Sequence, residues 1–161
     1  MAESRAEMLK ALSEVYRDIP TPLDSIPDEI LAALPRGKSD CARVEKLHDI
    51  ECQSLEPALL HLLLWFQDGN WPVCKRLIPL LVEIGQPMVP HIRYVLESNQ
   101  DYEWHWFIIV DLVKELPVDV ASCLRPELER RASSPVPAEI TSEIQLVSKE
   151  VLERLNKLKI E

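Results

Sequence analysis

A tryptophan-bearing turn occurs twice in this chain, and its spacing limits the possible folds more than any other feature. Gln67-Asp68-Gly69-Asn70-Trp71 is followed, 33 positions on, by Gln100-Asp101-Tyr102-Glu103-Trp104. Pro57 and Pro90 keep the same offset, and so do Leu63 and Leu96. A period of this length belongs to helical repeat architectures, in which each unit is a helical hairpin that buries its apolar face against the next. The stretch from Leu59 to Leu116 therefore reads as a short stack of helical hairpins.

The rest of the chain agrees with an all-α class. Only 3 glycines are spread over 161 residues, too few for the tight primed turns of β-hairpins. The 13 prolines fall mostly at the borders of apolar runs, where they set helix starts and enforce helix ends. With 47% hydrophobic residues and this length, one domain with a full core is expected. Its sections are an N-terminal helix and Pro-rich connector over 1–29, a core with two hairpin repeats over 30–117, and C-terminal capping helices over 118–161.

Local signals place the elements. Met8, Leu9, Leu12, Val15 and Tyr16 make one helical stripe over Ala2 to Tyr16. A connector with Pro20, Pro22 and Pro27 follows. Asp28 and Glu29 suit the first turn of a short helix that Pro35 ends, and Ser39 and Asp40 can cap the next, Cys41 to Leu47. Leu59 to Phe66 is apolar nearly all round, as a helix buried on several sides would be. Pro72 starts the following helix and Gly85 can cap it, with a kink or break expected at Pro79. Helices then run over Met88 to Leu96, Tyr102 to Leu116 and Asp119 to Arg131. The last helix spans Ala138 to about Lys157, with a stripe of Ile140, Ile144, Val147, Val151, Leu152 and Leu155.

The run Trp65-Phe66-Gln67-Asp68-Gly69-Asn70-Trp71-Pro72-Val73 resembles the hallmark Trp-x-Gln-Asp-x-Asn-Trp-Pro-Val of a bacterial family of small proteins known as a domain of unknown function. Leu34-Pro35-Arg36-Gly37-Lys38-Ser39-Asp40 is similar to that family's Leu-Pro-x-x-Lys-x-Asp opening, and the likeness covers Ile30 to Pro117. The resemblance implies a HEAT-like fold, a short α-solenoid. It implies no reaction, cofactor or partner.

The candidate partner-binding residues are those of the repeated turn: Asp68, Asn70, Trp71, Asp101, Glu103, Trp104 and Trp106. Indoles beside carboxylates can grip a cationic or aromatic group of a partner. The competing reading makes Asp and Asn helix caps and the Trp rings wedges between hairpins, and the two readings demand opposite burial of Trp71 and Trp104. Acids are also dense over Glu97 to Asp119 and over Asp18 to Glu29. Were the N-terminal segment to pack near the turns, the two would form one acidic face, against the alternative of ordinary solubility charge.

Chemistry is otherwise sparse. The net charge of −9 and the lack of a segregated basic face argue against nucleic acid. His48, Asp49, Glu51 and Cys52 have no zinc spacing, His61 and His91 read as core histidines, and no phosphate loop or nucleophile elbow is present. Cys74 and Cys123 lie in helices and read as small buried apolar groups. No cofactor, metal or catalytic set is assigned. A charged opening and the lack of a membrane-length apolar run suggest reduced cytosol and no membrane association.

The function expected is a non-catalytic module binding a basic protein, with an immunity-type inhibitor of a basic toxin or nucleic-acid-directed protein as its most concrete form. Alternatives are a small metal- or ligand-binding enzyme using Asp68 and Asp101 with a histidine, or a purely structural subunit. Oligomeric state is left open.

Overall fold

The computed structural model describes residues 2–160, with helices only and no strand among them. Helix α1 (Arg5–Val15) opens on Ser4, whose hydroxyl accepts from the Glu7 amide at 3.2 Å, and buries Met8 and Leu12. The connector after it is tied back by Arg5, which donates to the carbonyls of Asp24 (2.6 Å) and Ile26 (2.9 Å) and pairs with Asp28. Two short helices follow, α2 (Asp28–Ala33) and α3 (Cys41–Leu47). Asp40 does not cap α3, contrary to expectation: its carboxylate accepts instead from the Arg36 amide at 2.9 Å and from Arg43 at 3.1 Å. It thereby fixes the bend before the helix rather than the helix start.

The all-apolar run becomes a 3₁₀ turn over Cys52–Ala58, α4 (Leu59–Leu63) and a second 3₁₀ turn over Leu64–Gln67. Every residue from Leu59 to Phe66 is buried, as all-round apolarity requires. Helix α5 (Pro72–Ile84) carries Pro at its first position and ends on Gly85 at φ 68°, the left-handed conformation that glycine adopts without penalty. Pro79 does not break α5. It lies on the exposed face of the helix, away from the buried Leu77, Leu80 and Leu81.

Helix α6 (Val89–Ser98) leads to α7 (Tyr102–Phe107), capped by Asp101, whose carboxylate accepts from the Trp104 amide at 3.1 Å. The expected single helix to Leu116 instead loosens into a π segment, Ile108–Leu112, and tightens again over Val113–Glu115. After α8 (Val118–Ala121) and α9 (Arg125–Ser133) the chain forms α10 (Pro137–Thr141) and α11 (Ile144–Ile160). The continuous last helix expected from Ala138 is thus divided. Glu143 takes φ 64° at the break, and Ile140 points to solvent while the buried stripe starts at Ile144.

Helix α11 lies along α9 and also touches α7 and α8, while α3 bridges α2 and α5 and α4 packs on α6. One continuous apolar cluster runs from Met8 to Leu155. Cys74 is buried as expected, and burial, with Asp111 and Asp68 nearby, pushes its thiol up to about 12. Cys123, in the 3₁₀ turn Ser122–Leu124, is only half-buried, contrary to expectation: its sulfur faces the exposed Gln86 side chain, whose amide donates to it at 3.4 Å.

Candidate functional site

The first repeated turn is held by its own motif. Trp65 donates its indole N–H to the Tyr16 hydroxyl at 3.1 Å, which donates in turn to the Pro35 carbonyl at 2.5 Å. The Val73 amide donates to the Lys38 carbonyl at 3.0 Å. The segment from Leu34 to Asp40 is therefore bonded to the Trp65–Val73 motif at both ends. Trp71 is half-buried, edge-on to Trp65 with ring centroids 6.0 Å apart, and Asp68 accepts from the Asn70 amide at 2.9 Å, closing the turn.

Gly69 is the tightest point. A β-carbon there would stand 2.4 Å from Phe107 Cδ1 and 2.2 Å from Asp111 Oδ2, so the turn seats against α7 and its π extension only because residue 69 has no side chain. Burial raises the Asp111 pKa despite Lys75. Gly69→Ala is expected to destabilise the protein by about 1–3 kcal/mol, the usual range for overpacking. A urea unfolding midpoint unchanged from wild type would contradict this contact.

In the second turn Trp104 is 9% exposed and donates its indole N–H to the Leu63 carbonyl at 2.8 Å. That bond satisfies a carbonyl at the end of α4, so this ring acts as a wedge between the two turns. Asp101 and Glu103 are exposed, and Trp106 is half-buried. Asn99 orders the approach: its amide donates to Val95 O, while its oxygen accepts from the Asp101 amide and from His105 Nε2 at 2.9 Å.

The candidate residues divide between two clefts. One, of about 270 Å³, joins Asp18, Ile19 and Pro20 of the connector to Gln67 of the first turn and to Asn99, Asp101 and Trp104 of the second, with Tyr94 on its wall. Its lining holds two carboxylates and no Lys, Arg or His. Arg17 stands 3.9 Å from Asp18 across exposed surface. The second cleft contains Glu103 and Trp106 and lies between α7 and the α10–α11 turn. Asp68, Asn70 and Trp71 line neither cleft.

Sequence reasoning left Tyr94, Tyr102, Phe107 and Glu143 out of these sites. Tyr94 carried a signal in standing off the apolar stripe of Val89, Ile92, Val95 and Leu96 on its helix. The others face the cleft only through tertiary packing. Neither buried histidine lines a cleft. His61 donates from Nε2 to the Thr21 carbonyl at 3.0 Å, and burial pulls its pKa down to about 4. His105, under burial and the nearby Arg131, also falls to about 4. Among the described residues, no three His, Cys, Asp or Glu side chains are grouped to hold a metal, and no helix is long and apolar enough to cross a membrane.

Fold and clefts define an all-helical protein with open, acid-lined surface recesses. No curated protein matches the chain. It belongs to the family described as Domain of unknown function (DUF5071), which matches residues 33–152.

Proposed function

We propose that this protein is a non-catalytic binding module for a basic protein, with the Asp18–Asp101 cleft as its contact point. The observation that carries the reading is the meeting of two carboxylates, from the connector and from the second repeated turn, in one recess with Tyr94 and without a lining base. A lysine or arginine side chain entering there meets opposite charge at both sides and an aromatic wall. The net charge of the whole chain, −9, speeds encounter with such a partner at low salt.

We read the helices as a HEAT-like stack in a single domain, with residues 118–161 as its capping end, working in a bacterial cytoplasm. In its most concrete form the module is an immunity-type inhibitor of a basic toxin or of a nucleic-acid-directed protein. The test is capture from its own cells by the tagged chain at low and high salt, beside the Asp18→Lys/Asp101→Lys variant. A basic protein that elutes with salt and binds the variant about tenfold more weakly, or worse, supports the reading, a loss on the scale of about 1.4 kcal/mol. Equal capture by both chains sinks it.

A further inference from the structure

The second cleft, of about 390 Å³, shares no lining residue with the Asp18–Asp101 recess. Its volume falls within the range of small-ligand pockets, about 300–1,000 Å³. Helix α7 supplies two adjacent rows, Tyr102 with Trp106 and Glu103 with Phe107, each pair four residues apart and so on one face. The Trp106 and Phe107 rings meet at 90° with centroids 5.1 Å apart, forming a corner rather than a flat patch. Thr141, Ser142 and Glu143 close the other side, because the chain turns at Glu143 instead of continuing as helix. Gly69 backs the corner: any larger residue there would drive Phe107 out of place.

The electrostatics of this cleft are one-sided. Three aromatic rings and two carboxylates line it, and no base does. Among the described residues neither Glu103 nor Glu143 takes part in an ion pair or a side-chain hydrogen bond. Arg130, the neighbouring cation on α9, is occupied by Glu139, donating to both its oxygens at 2.7 and 2.6 Å. Ring faces attract cations through their quadrupole, most effectively a cation that sheds water cheaply. A metal ion would instead ask for several oxygen ligands in a closed shell, and two carboxylates across an aromatic corner do not make one.

We propose that the Tyr102–Trp106–Phe107 corner, with Glu103 and Glu143, is a binding site for a methylated ammonium group. Its methyl groups pack on the rings while its charge faces the two carboxylates. The group can belong to a small choline-like molecule or to a methylated lysine.

The test follows the Trp106 indole N–H resonance in the full chain during titration with choline chloride, against sodium chloride at equal ionic strength. Parallel titrations use N-acetyl trimethyl-lysine amide and 3,3-dimethylbutanol, the uncharged shape-mimic of choline. The expected result is a saturable shift with choline or with the lysine derivative, the tighter of the two identifying the source. The uncharged mimic should bind at least about fivefold more weakly, the weight of one close charge at the surface. Glu103→Gln and Glu143→Gln replace exposed groups and should each weaken binding without disturbing the other indole resonances. Failure of both cations to shift Trp106 beyond the salt control, or equal binding of the uncharged mimic, overturns the proposal. A shift unchanged in both Gln variants overturns it as well.

Discussion

Replacing Glu139 by alanine is expected to lower the unfolding free energy by about 3–5 kcal/mol, the usual consequence of stripping one member from a buried ion pair. Glu139 is 2% exposed and Arg131 is 4% exposed. The carboxylate accepts from both Arg130 terminal nitrogens and from the Val136 amide at 2.8 Å, and Arg131 Nε lies 3.4 Å away. Burial works against the charged form of Glu139, yet Arg130, the Val136 amide and Arg131 outweigh it and hold the pKa below the ordinary glutamate value. Without Glu139, the buried Arg131 keeps only its bonds to the Leu96 and Glu127 carbonyls. Chemical denaturation of Glu139→Ala, with Glu129→Ala as an exposed control on α9, measures the effect. A loss no larger than the control's would show that the network contributes nothing net.

Acid should weaken the fold well before ordinary carboxylates titrate. His61 and His105 are buried and neutral, with folded pKa values near 4 against about 6.5 in an unfolded chain. Each holds its proton on Nε2, given to Thr21 and to Asn99, and each leaves Nδ1 buried without a partner. Protonating Nδ1 would place an N–H where nothing accepts it. Between pH 6.5 and 4 the unfolded chain therefore binds protons that the folded chain refuses, so stability falls as pH falls. The full effect is on the order of 3 kcal/mol for each histidine, from about 1.4 kcal/mol per pKa unit. Glu139, depressed in the folded state, adds a loss of the same sign at still lower pH. Urea midpoints at pH 7, 6 and 5 should drop steeply, and His61→Gln should flatten part of the slope. Midpoints constant from pH 7 to 5 would refute the neutral, buried assignment.

Much of the helical content was legible as period and punctuation. The Pro72 start and Gly85 end of α5 and the Asp101 cap before α7 follow from capping signals that act within a few residues, while α3 keeps its expected span without the expected side-chain cap. The misses have a common cause in tertiary context. Pro79 is tolerated because its face of α5 is bare. The π segment at Ile108–Leu112 lies where α7 must pass the Gly69 turn, a contact across nearly forty residues that no local rule contains. The last helix divides at Glu143, where the apolar stripe that suggested continuity includes an Ile140 that finds no core to enter.

The candidate site was legible in part for the same reason. Of the residues named from the repeated turn, Glu103 and Trp106 line one cleft and Asp101 and Trp104 another, while Asp68, Asn70 and Trp71 line neither. Whether an indole was wedge or surface could not be read from spacing, since Trp71 and Trp104 hold the same place in the repeat yet one is half-buried and the other 9% exposed. Taken alone, the sequence determined that this chain is helical, where most helices start and stop, and that two tryptophan turns stand one repeat apart, because capping and amphipathic periodicity are short-range. Which carboxylates are spent in ion pairs and which stay free, and which rings line a cleft, came from packing between distant segments. Burial and charge pairing depend on segments such as 102–107 and 141–143 meeting in space.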